Sequence, residues 1–121
     1  MASDLTVKLE DRPGTLAAAC EALGKDGINI EGCCAYPGDG GLMHVLVEDA
    51  AAARSALEGE GFVVSNERDV LVVELEDRPG AAGDTLRRIA AVGVNLDLAY
   101  MATRTRLVVG ADDLDQARAA V

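Results

Sequence analysis

Leu9-Glu10-Asp11-Arg12-Pro13-Gly14 recurs as Leu75-Glu76-Asp77-Arg78-Pro79-Gly80, an offset of 66 residues (75 minus 9). At the same offset, Gly27-Ile28-Asn29-Ile30 recurs as Gly93-Val94-Asn95-Leu96. Two matches at one spacing, with no gap between them, indicate a duplicated unit. The two halves therefore share one fold, and the shared turn and Asn-bearing segment are the first places to look for function.

The first repeat reads as six elements. Residues 5–9 alternate apolar and polar side chains, the period of a half-buried strand. Pro13 suits the first turn of a helix, and the apolar residues 16, 19, 20 and 23 follow at helical spacing. Residues 28–36 and 42–47 predict a hairpin around the Gly-rich turn 37–41. Asp49 is expected to cap a helix over 50–57, and residues 62–64 form a fourth strand.

The second repeat follows the same order but lacks a fourth strand. Strands are predicted over 71–75, 94–101 and 106–109, with helices over 81–92 and from a cap at Asp112 or Asp113 to residue 121. The order β-α-β-β-α-β predicts an α+β protein of two ferredoxin-like repeats with antiparallel sheets. We place the repeats at residues 1–66 and 70–121, joined by a short polar linker over 66–69.

Charge and cysteine content exclude several classes of function. The formal net charge is −10, from 21 acidic and 11 basic residues, which argues against binding to nucleic acid or to an anionic membrane. The three cysteines are odd in number and two are adjacent, so we expect reduced thiols rather than a disulfide framework. We see no signal peptide and no apolar run of membrane-spanning length, and we expect a cytoplasmic location.

The two shared segments resemble those of a known family. The pattern Asp-Arg-Pro-Gly-x-Leu between strand and helix, followed by Gly-Ile-Asn-Ile, is similar to the ACT domain, a regulatory module of amino-acid metabolism. The resemblance covers the whole chain as two tandem copies. It implies a ferredoxin-like fold, side-by-side pairing of domains, and binding of an amino acid at the interface between repeats.

The resemblance also implies which residues contact the ligand. By position these are the acidic residue before Arg-Pro-Gly and the Asn segment, in both repeats. The predicted ligand-binding residues are Asp11, Arg12, Gly14, Thr15, Asn29, Ile30, Asp77, Arg78, Gly80, Asn95 and Leu96. Family members that bind serine tend to carry a histidine where Leu9 and Leu75 stand here, so serine is disfavoured.

The chemistry of the turn agrees with this expectation. A helix that begins near Pro13 offers unpaired backbone N–H groups to a carboxylate, and Gly14 allows a ligand to approach the backbone closely. Asp11 is suited to an ammonium group, and the Asn29 amide both donates and accepts hydrogen bonds. The alternative is a ligand-free oligomerisation module for a larger enzyme or regulator, because Asp-Arg-Pro-Gly is also good turn chemistry.

Other kinds of site have weaker support. Cys33 and Cys34 are adjacent on one strand and point to opposite faces, which disfavours a metal site with His44. The Gly-rich turn lacks the Lys-Ser/Thr of a phosphate loop. The single histidine has no evident catalytic partner, so we expect neither an enzyme nor a bound cofactor.

Assembly follows from the missing strand. The predicted strand over 70–75 is apolar and rich in β-branched residues, and no Pro or Lys protects its edge. We expect the same strand or a terminal strand of a second copy of the chain to cover it, which predicts a homodimer; the alternative is that the fourth strand of the first repeat is swapped across.

Overall fold

The computed structural model describes residues 2–121. By its internal contacts the chain divides into two compact units, residues 2–68 and 69–121. The protein is α+β, with two ferredoxin-like repeats and antiparallel sheets, and the second repeat lacks the last strand, as the sequence predicts.

The first repeat has six elements. They are β1 (Ser3–Lys8), α1 (Thr15–Lys25), β2 (Gly32–Tyr36), β3 (Leu42–Val47), α2 (Ala50–Gly59) and β4 (Val63–Asp69). The strand order is β4-β1-β3-β2, so the first and third strands are central. Antiparallel pairing sets Leu5 opposite Val45 and Cys34 opposite His44. The alternation in β1 buries Leu5 and Val7 against Leu23 of α1 and Leu57 of α2.

The second repeat repeats this plan with one strand fewer. Its elements are β5 (Leu71–Glu74), α3 (Ala81–Ala91), β6 (Leu96–Ala102), β7 (Arg106–Ala111) and α4 (Leu114–Ala119). The order β6-β7-β5 places β7 in the middle, and both pairings are antiparallel. Ile89, Leu107 and Val109 form the centre of its core.

The turn motif differs from the prediction at its helix start. Pro13 was expected in the first turn of α1, but α1 begins at Thr15 and Pro13 lies in the preceding turn. Gly14 is the N-cap residue with φ +92°, a left-handed conformation that glycine adopts without steric cost. Gly80 does the same before α3, with φ +90°.

Two boundaries in the first repeat also differ from the prediction. Residues 28–31 were expected in β2, but the Ile28 N–H bonds to the Leu23 carbonyl at the end of α1, at 3.0 Å. Residues 66–69 were expected to be a linker, but they continue β4. Their polar side chains suit an edge strand, which natural sheets commonly make polar.

The second-repeat elements match closely. The predicted alternatives for the last cap resolve to Asp113, whose side chain accepts from the Gln116 N–H at 3.0 Å. Asp112 instead accepts from the Asn95 N–H at 3.1 Å. Among residues 2–121, no helix combines the length and the apolar character needed to cross a membrane.

Candidate functional site

The loop between β1 and α1 is held open at the helix N-terminus. No side chain caps α1, and none caps α3. By contrast, Asp49 caps α2 and Asp113 caps α4. The first-turn N–H groups of an uncapped helix are partial positive charges that favour an anion.

Thr15 fixes the shape of this loop in the first repeat. Its buried hydroxyl shares its single proton between the Glu10 carbonyl at 2.6 Å and the Arg12 carbonyl at 3.1 Å. The Leu9 N–H also bonds to the Gly41 carbonyl at 3.0 Å, which ties the loop to the β2–β3 hairpin. The hydroxyl of Thr15 is therefore committed to the backbone, and the loop is rigidly attached at both ends.

Arg12 lies at the mouth of this loop. Its Nε donates to Glu10 Oε2 at 2.5 Å. The two Nη groups hold no hydrogen bond within residues 2–121, and the side chain is largely exposed. A guanidinium in this state offers paired N–H donors to an incoming carboxylate.

A groove of about 850 Å³ opens beside the loop. This volume lies within the range of small-molecule sites, about 300–1,000 Å³. Its walls come from the end of β1, the loop, one flank of α1, the hairpin turn and the start of β4. The lining residues that carry the argument are Lys8, Leu9, Arg12, Gly14, Thr15, Ala18, Glu21, Ala22, Gly41 and Phe62.

The groove combines both charges with an apolar floor. Lys8 and Glu21 line it, and neither side chain has a partner within residues 2–121. Lys25 and Glu60 also line it but pair with each other at 3.2 Å. Leu9, Ala22 and Phe62 supply apolar surface. Such a lining suits a small zwitterion with an apolar part.

The equivalent cleft of the second repeat is much smaller, about 210 Å³. Arg78 lines it, and here each of the three guanidinium nitrogens donates one hydrogen bond. Nε donates to Glu76 Oε2 at 2.8 Å, Nη1 to the Pro79 carbonyl at 3.3 Å, and Nη2 to Asp84 Oδ2 at 3.1 Å. The hydrogen bonds to Glu76 and Asp84 raise the pKa of Arg78. The Pro79 carbonyl and the Asp84 carboxylate thus bind the Nη groups of Arg78, whereas the Nη groups of Arg12 have no such partner in the described part of the chain.

The predicted site residues divide into two groups. Arg12, Gly14 and Thr15 line the first groove, and Arg78 lines the second. The remaining residues do not line either cleft: Asp11, Asn29, Ile30, Asp77, Gly80, Asn95 and Leu96.

The residues outside the clefts have their own surroundings. The Asn29 amide donates to Glu31 Oε2, and the Ile30 side chain packs against the core of the first repeat. Leu96 packs against the core of the second repeat. Asp11 and Asp77 are exposed.

Sequence reasoning missed the groove-lining residues away from the motif, such as Lys8 and Ala18. The offset of 66 residues pairs Ala18 with Asp84 and Lys8 with Glu74. A comparison of the repeats at each position would have shown that these pairs differ. The motif residues were easier to find because they are the ones that agree.

A buried polar cluster in the first repeat was also not foreseen. Asp4 is completely buried, and its Oδ2 lies 2.9 Å from His44 Nδ1. Tyr36 OH lies 3.4 Å from the other ring nitrogen of His44. These residues occupy the sheet face opposite Leu5 and Val7, which a half-buried strand was expected to expose to solvent.

The thiols are free and no metal cluster is present in the described chain. Cys33 is exposed, whereas Cys20 and Cys34 are partly covered, and burial raises the pKa of both thiols. The nearby Asp4 charge raises the pKa of Cys34 further. Residues 2–121 contain no group of three or more His, Cys, Asp or Glu side chains placed to hold a metal ion.

The family is decided by a match along the whole sequence. The family model of the ACT domain pair matches residues 1–121. The chain belongs to the ACT domain pair family. ACT domains are regulatory modules, and the family is consistent with a small-molecule-binding regulatory role for this ACT domain pair.

Solved structures share the fold of this ACT domain pair. A protein of Bacteroides thetaiotaomicron is 28% identical with a TM-score of 0.85, over 98% of this chain and 85% of that chain. The ligand-free regulatory subunit of aspartate kinase from Thermus thermophilus is 24% identical with a TM-score of 0.72, over 98% and 86%. The Thermus flavus regulatory subunit is 21% identical with a TM-score of 0.70, over 98% and 89%. No curated protein matches the chain in sequence.

Proposed function

We propose that this ACT domain pair is a non-catalytic, cytoplasmic regulatory protein that binds a small amino acid. The observation that carries the proposal is the groove of about 850 Å³ at the first β1–α1 loop, where Arg12 keeps free donors beside an uncapped helix. The family and the fold of aspartate kinase regulatory subunits support the same class of function.

The groove offers a partner for each part of an amino acid. The Arg12 guanidinium and the first-turn N–H groups of α1 suit the carboxylate. Glu21 supplies a carboxylate without a partner within residues 2–121 for the ammonium group. Leu9 and Phe62 provide apolar surface for the side chain. The family resemblance implies further ligand contacts from Asp11 and Asn29, although neither residue lines the groove.

Binding becomes regulation only when two states of the protein differ in affinity for the amino acid. We propose that the two states differ in assembly. Strand β5 ends the strand order, so one of its edges has no neighbouring strand within residues 2–121. Three of the four residues of β5 are uncharged, with Glu74 the exception, whereas β4, the end strand of the first repeat, carries Glu67, Arg68 and Asp69.

An edge with a single charged residue favours pairing with another strand. We therefore propose a homodimer formed through β5. Size-exclusion chromatography with light scattering tests this directly. A dimer at micromolar concentration supports the proposal, and a monomer at tens of micromolar contradicts it.

A thermal-shift panel over the twenty amino acids tests the binding proposal. A ligand of the native state raises the melting temperature, and the shift grows with the logarithm of ligand concentration above the Kd. We expect one or a few amino acids to raise it, and Arg12→Gln to remove the shift. Arg87→Gln is the matched control, because Arg87 is an exposed arginine of α3 that lines neither cleft.

A flat response to all amino acids, from a folded protein, would reject the binding proposal. It would favour the alternative, a ligand-free oligomerisation module.

A further inference from the structure

We infer that the chain has one ligand site, in the first repeat, and that its ligand places a carboxylate on Arg12 as Asp84 places one on Arg78. The inference deepens the proposed function and rests on it for the identity of the ligand as an amino acid. The asymmetry of the two clefts, by contrast, rests on the geometry of the chain alone.

The two loops have the same backbone geometry. The N-cap residues have φ +92° and ψ −15° at Gly14, and φ +90° and ψ −13° at Gly80. The next helical bonds are also equal, since Ala18 N–H to Gly14 carbonyl and Asp84 N–H to Gly80 carbonyl are both 2.9 Å. Residues 18 and 84 therefore hold equivalent places above equivalent arginines.

The two arginines are also held in the same way. Each donates from Nε to the glutamate two residues earlier, at 2.5 Å for Arg12 and 2.8 Å for Arg78. The two arginines differ in the partners of their Nη groups. Arg78 Nη2 donates to the Asp84 carboxylate at 3.1 Å, whereas Ala18 offers Arg12 nothing to bind. The Asp84 carboxylate therefore shows which chemical group binds an arginine held in this geometry. We infer that a ligand carboxylate takes the same place beside Arg12.

Other differences between equivalent positions of the two repeats also narrow the second cleft. Ala22, which lines the first groove, corresponds to Arg88, whose Nη2 donates to Thr85 Oγ1 at 3.3 Å. Lys8 corresponds to Glu74, so the second cleft has a carboxylate where the first has a cation. The first cleft is lined by three basic and three acidic residues and the second by two basic and three acidic residues, so a carboxylate ligand is disfavoured more in the second. The volumes of about 850 and 210 Å³ agree with one open site and one closed site.

The test transfers the internal carboxylate from one repeat to the other. Ala18→Asp should place a carboxylate within reach of Arg12 and compete with the ligand. Ala18 is exposed, so the substitution leaves the core unchanged. Ala18→Asn controls for side-chain size without the charge. Ala17→Asp controls for an added charge on an exposed α1 residue that does not line the groove.

Calorimetry on the full chain measures affinity and stoichiometry with the amino acid that gives the largest thermal shift. We expect one molecule bound per chain. Ala18→Asp should weaken binding by about tenfold or more, the effect of losing a charge-assisted hydrogen bond. The Ala17→Asp control should stay within about twofold of the wild type, and Ala18→Asn should weaken binding clearly less than Ala18→Asp, because its amide fills the same space without the charge. Two molecules bound per chain, or unchanged affinity in Ala18→Asp, would overturn the inference.

A second probe separates this inference from the proposed function. If no amino acid binds, the same titrations are made with straight-chain aliphatic monocarboxylates. Binding that is lost in Ala18→Asp but kept in Ala18→Asn then supports the carboxylate site while the amino-acid proposal fails. Absence of binding by every carboxylate overturns the inference as well.

Discussion

His44 Nδ1 lies 2.9 Å from Asp4 Oδ2, and Asp4 is completely buried. The contact links β1 to β3, since Asp4 pairs in register with Leu46 and His44 with Thr6. Thr6 Oγ1 lies 3.4 Å from the same ring nitrogen. The imidazole of His44, on β3, is thereby held against β1. It lies on the sheet face opposite Leu5 and Val7.

Removal of the Asp4 carboxylate should destabilise the first repeat. Asp4→Ala removes a completely buried carboxylate and leaves the partly buried His44 without its principal partner, and we expect the free energy of unfolding to fall by about 1–3 kcal/mol. Urea denaturation measures it. Asp26→Ala, at an exposed aspartate, should change the value by no more than about 0.5 kcal/mol. A loss in Asp4→Ala as small as that of the control would show that the pair is not structural.

The hairpin turn behind the groove should tolerate no side chain at Gly41. A Cβ there would lie 2.2 Å from the Leu9 carbonyl oxygen, and Gly41 has φ +122°. We expect Gly41→Ala to cost about 3 kcal/mol, from strain and from the clash together. Gly40→Ala is the control, because Gly40 also has a positive φ but open space around it, and strain alone costs about 1 kcal/mol. Equal losses in thermal unfolding would contradict this explanation.

The three cysteines should differ in reactivity. The pKa values of Cys20 and Cys34 are raised by burial, so less thiolate is present at pH 8 and alkylation is slower. We expect iodoacetamide to modify the exposed Cys33 first, by peptide mass mapping. The unfolded chain ionises these two thiols at lower pH than the native one, so their stabilising contribution falls as pH rises through the thiol range. Equal alkylation rates for all three cysteines in the native state would contradict the raised pKa values of Cys20 and Cys34.

The motif acids should contribute unequally to binding. By the family resemblance, and although Asp11 does not line the groove, Asp11→Ala in the first repeat is expected to weaken amino-acid affinity by about tenfold or more, as for a lost charged partner. Asp77→Ala removes the equivalent acid beside the closed cleft and should leave affinity unchanged. Calorimetry on both variants decides, with circular dichroism to confirm folding. Unchanged affinity in Asp11→Ala would remove that residue from the site.

Much of the fold could be predicted because the same sequence pattern occurs in both repeats, so each half supports the interpretation of the other. The order of elements, the central strands and the missing last strand follow from alternation, helical spacing and glycine positions. The prediction failed where polarity was taken for a loop, at residues 66–69 of β4, since an edge strand pairs through its backbone whatever its side chains.

The candidate site was only half predictable, for a related reason. A shared motif identifies positions that agree, and it indicated Arg12 and Gly14, which line the first groove. The distinction between an open and a closed cleft lies in positions that disagree, such as Ala18 and Asp84, and these carry no signal in one repeat alone. Burial of Asp4 was not predictable either, because alternation assigns a residue to a face but does not say what covers that face.

The most direct test of the account is a nitrogen–proton NMR titration of the labelled protein with the amino acid that raises its melting temperature most. The account predicts saturable shifts of the backbone amides of Gly14, Thr15 and Ala18, with the equivalent amides of Gly80, Ala81 and Asp84 unmoved. Shifts confined to the second repeat, or saturating binding that leaves the first loop unmoved, would contradict it.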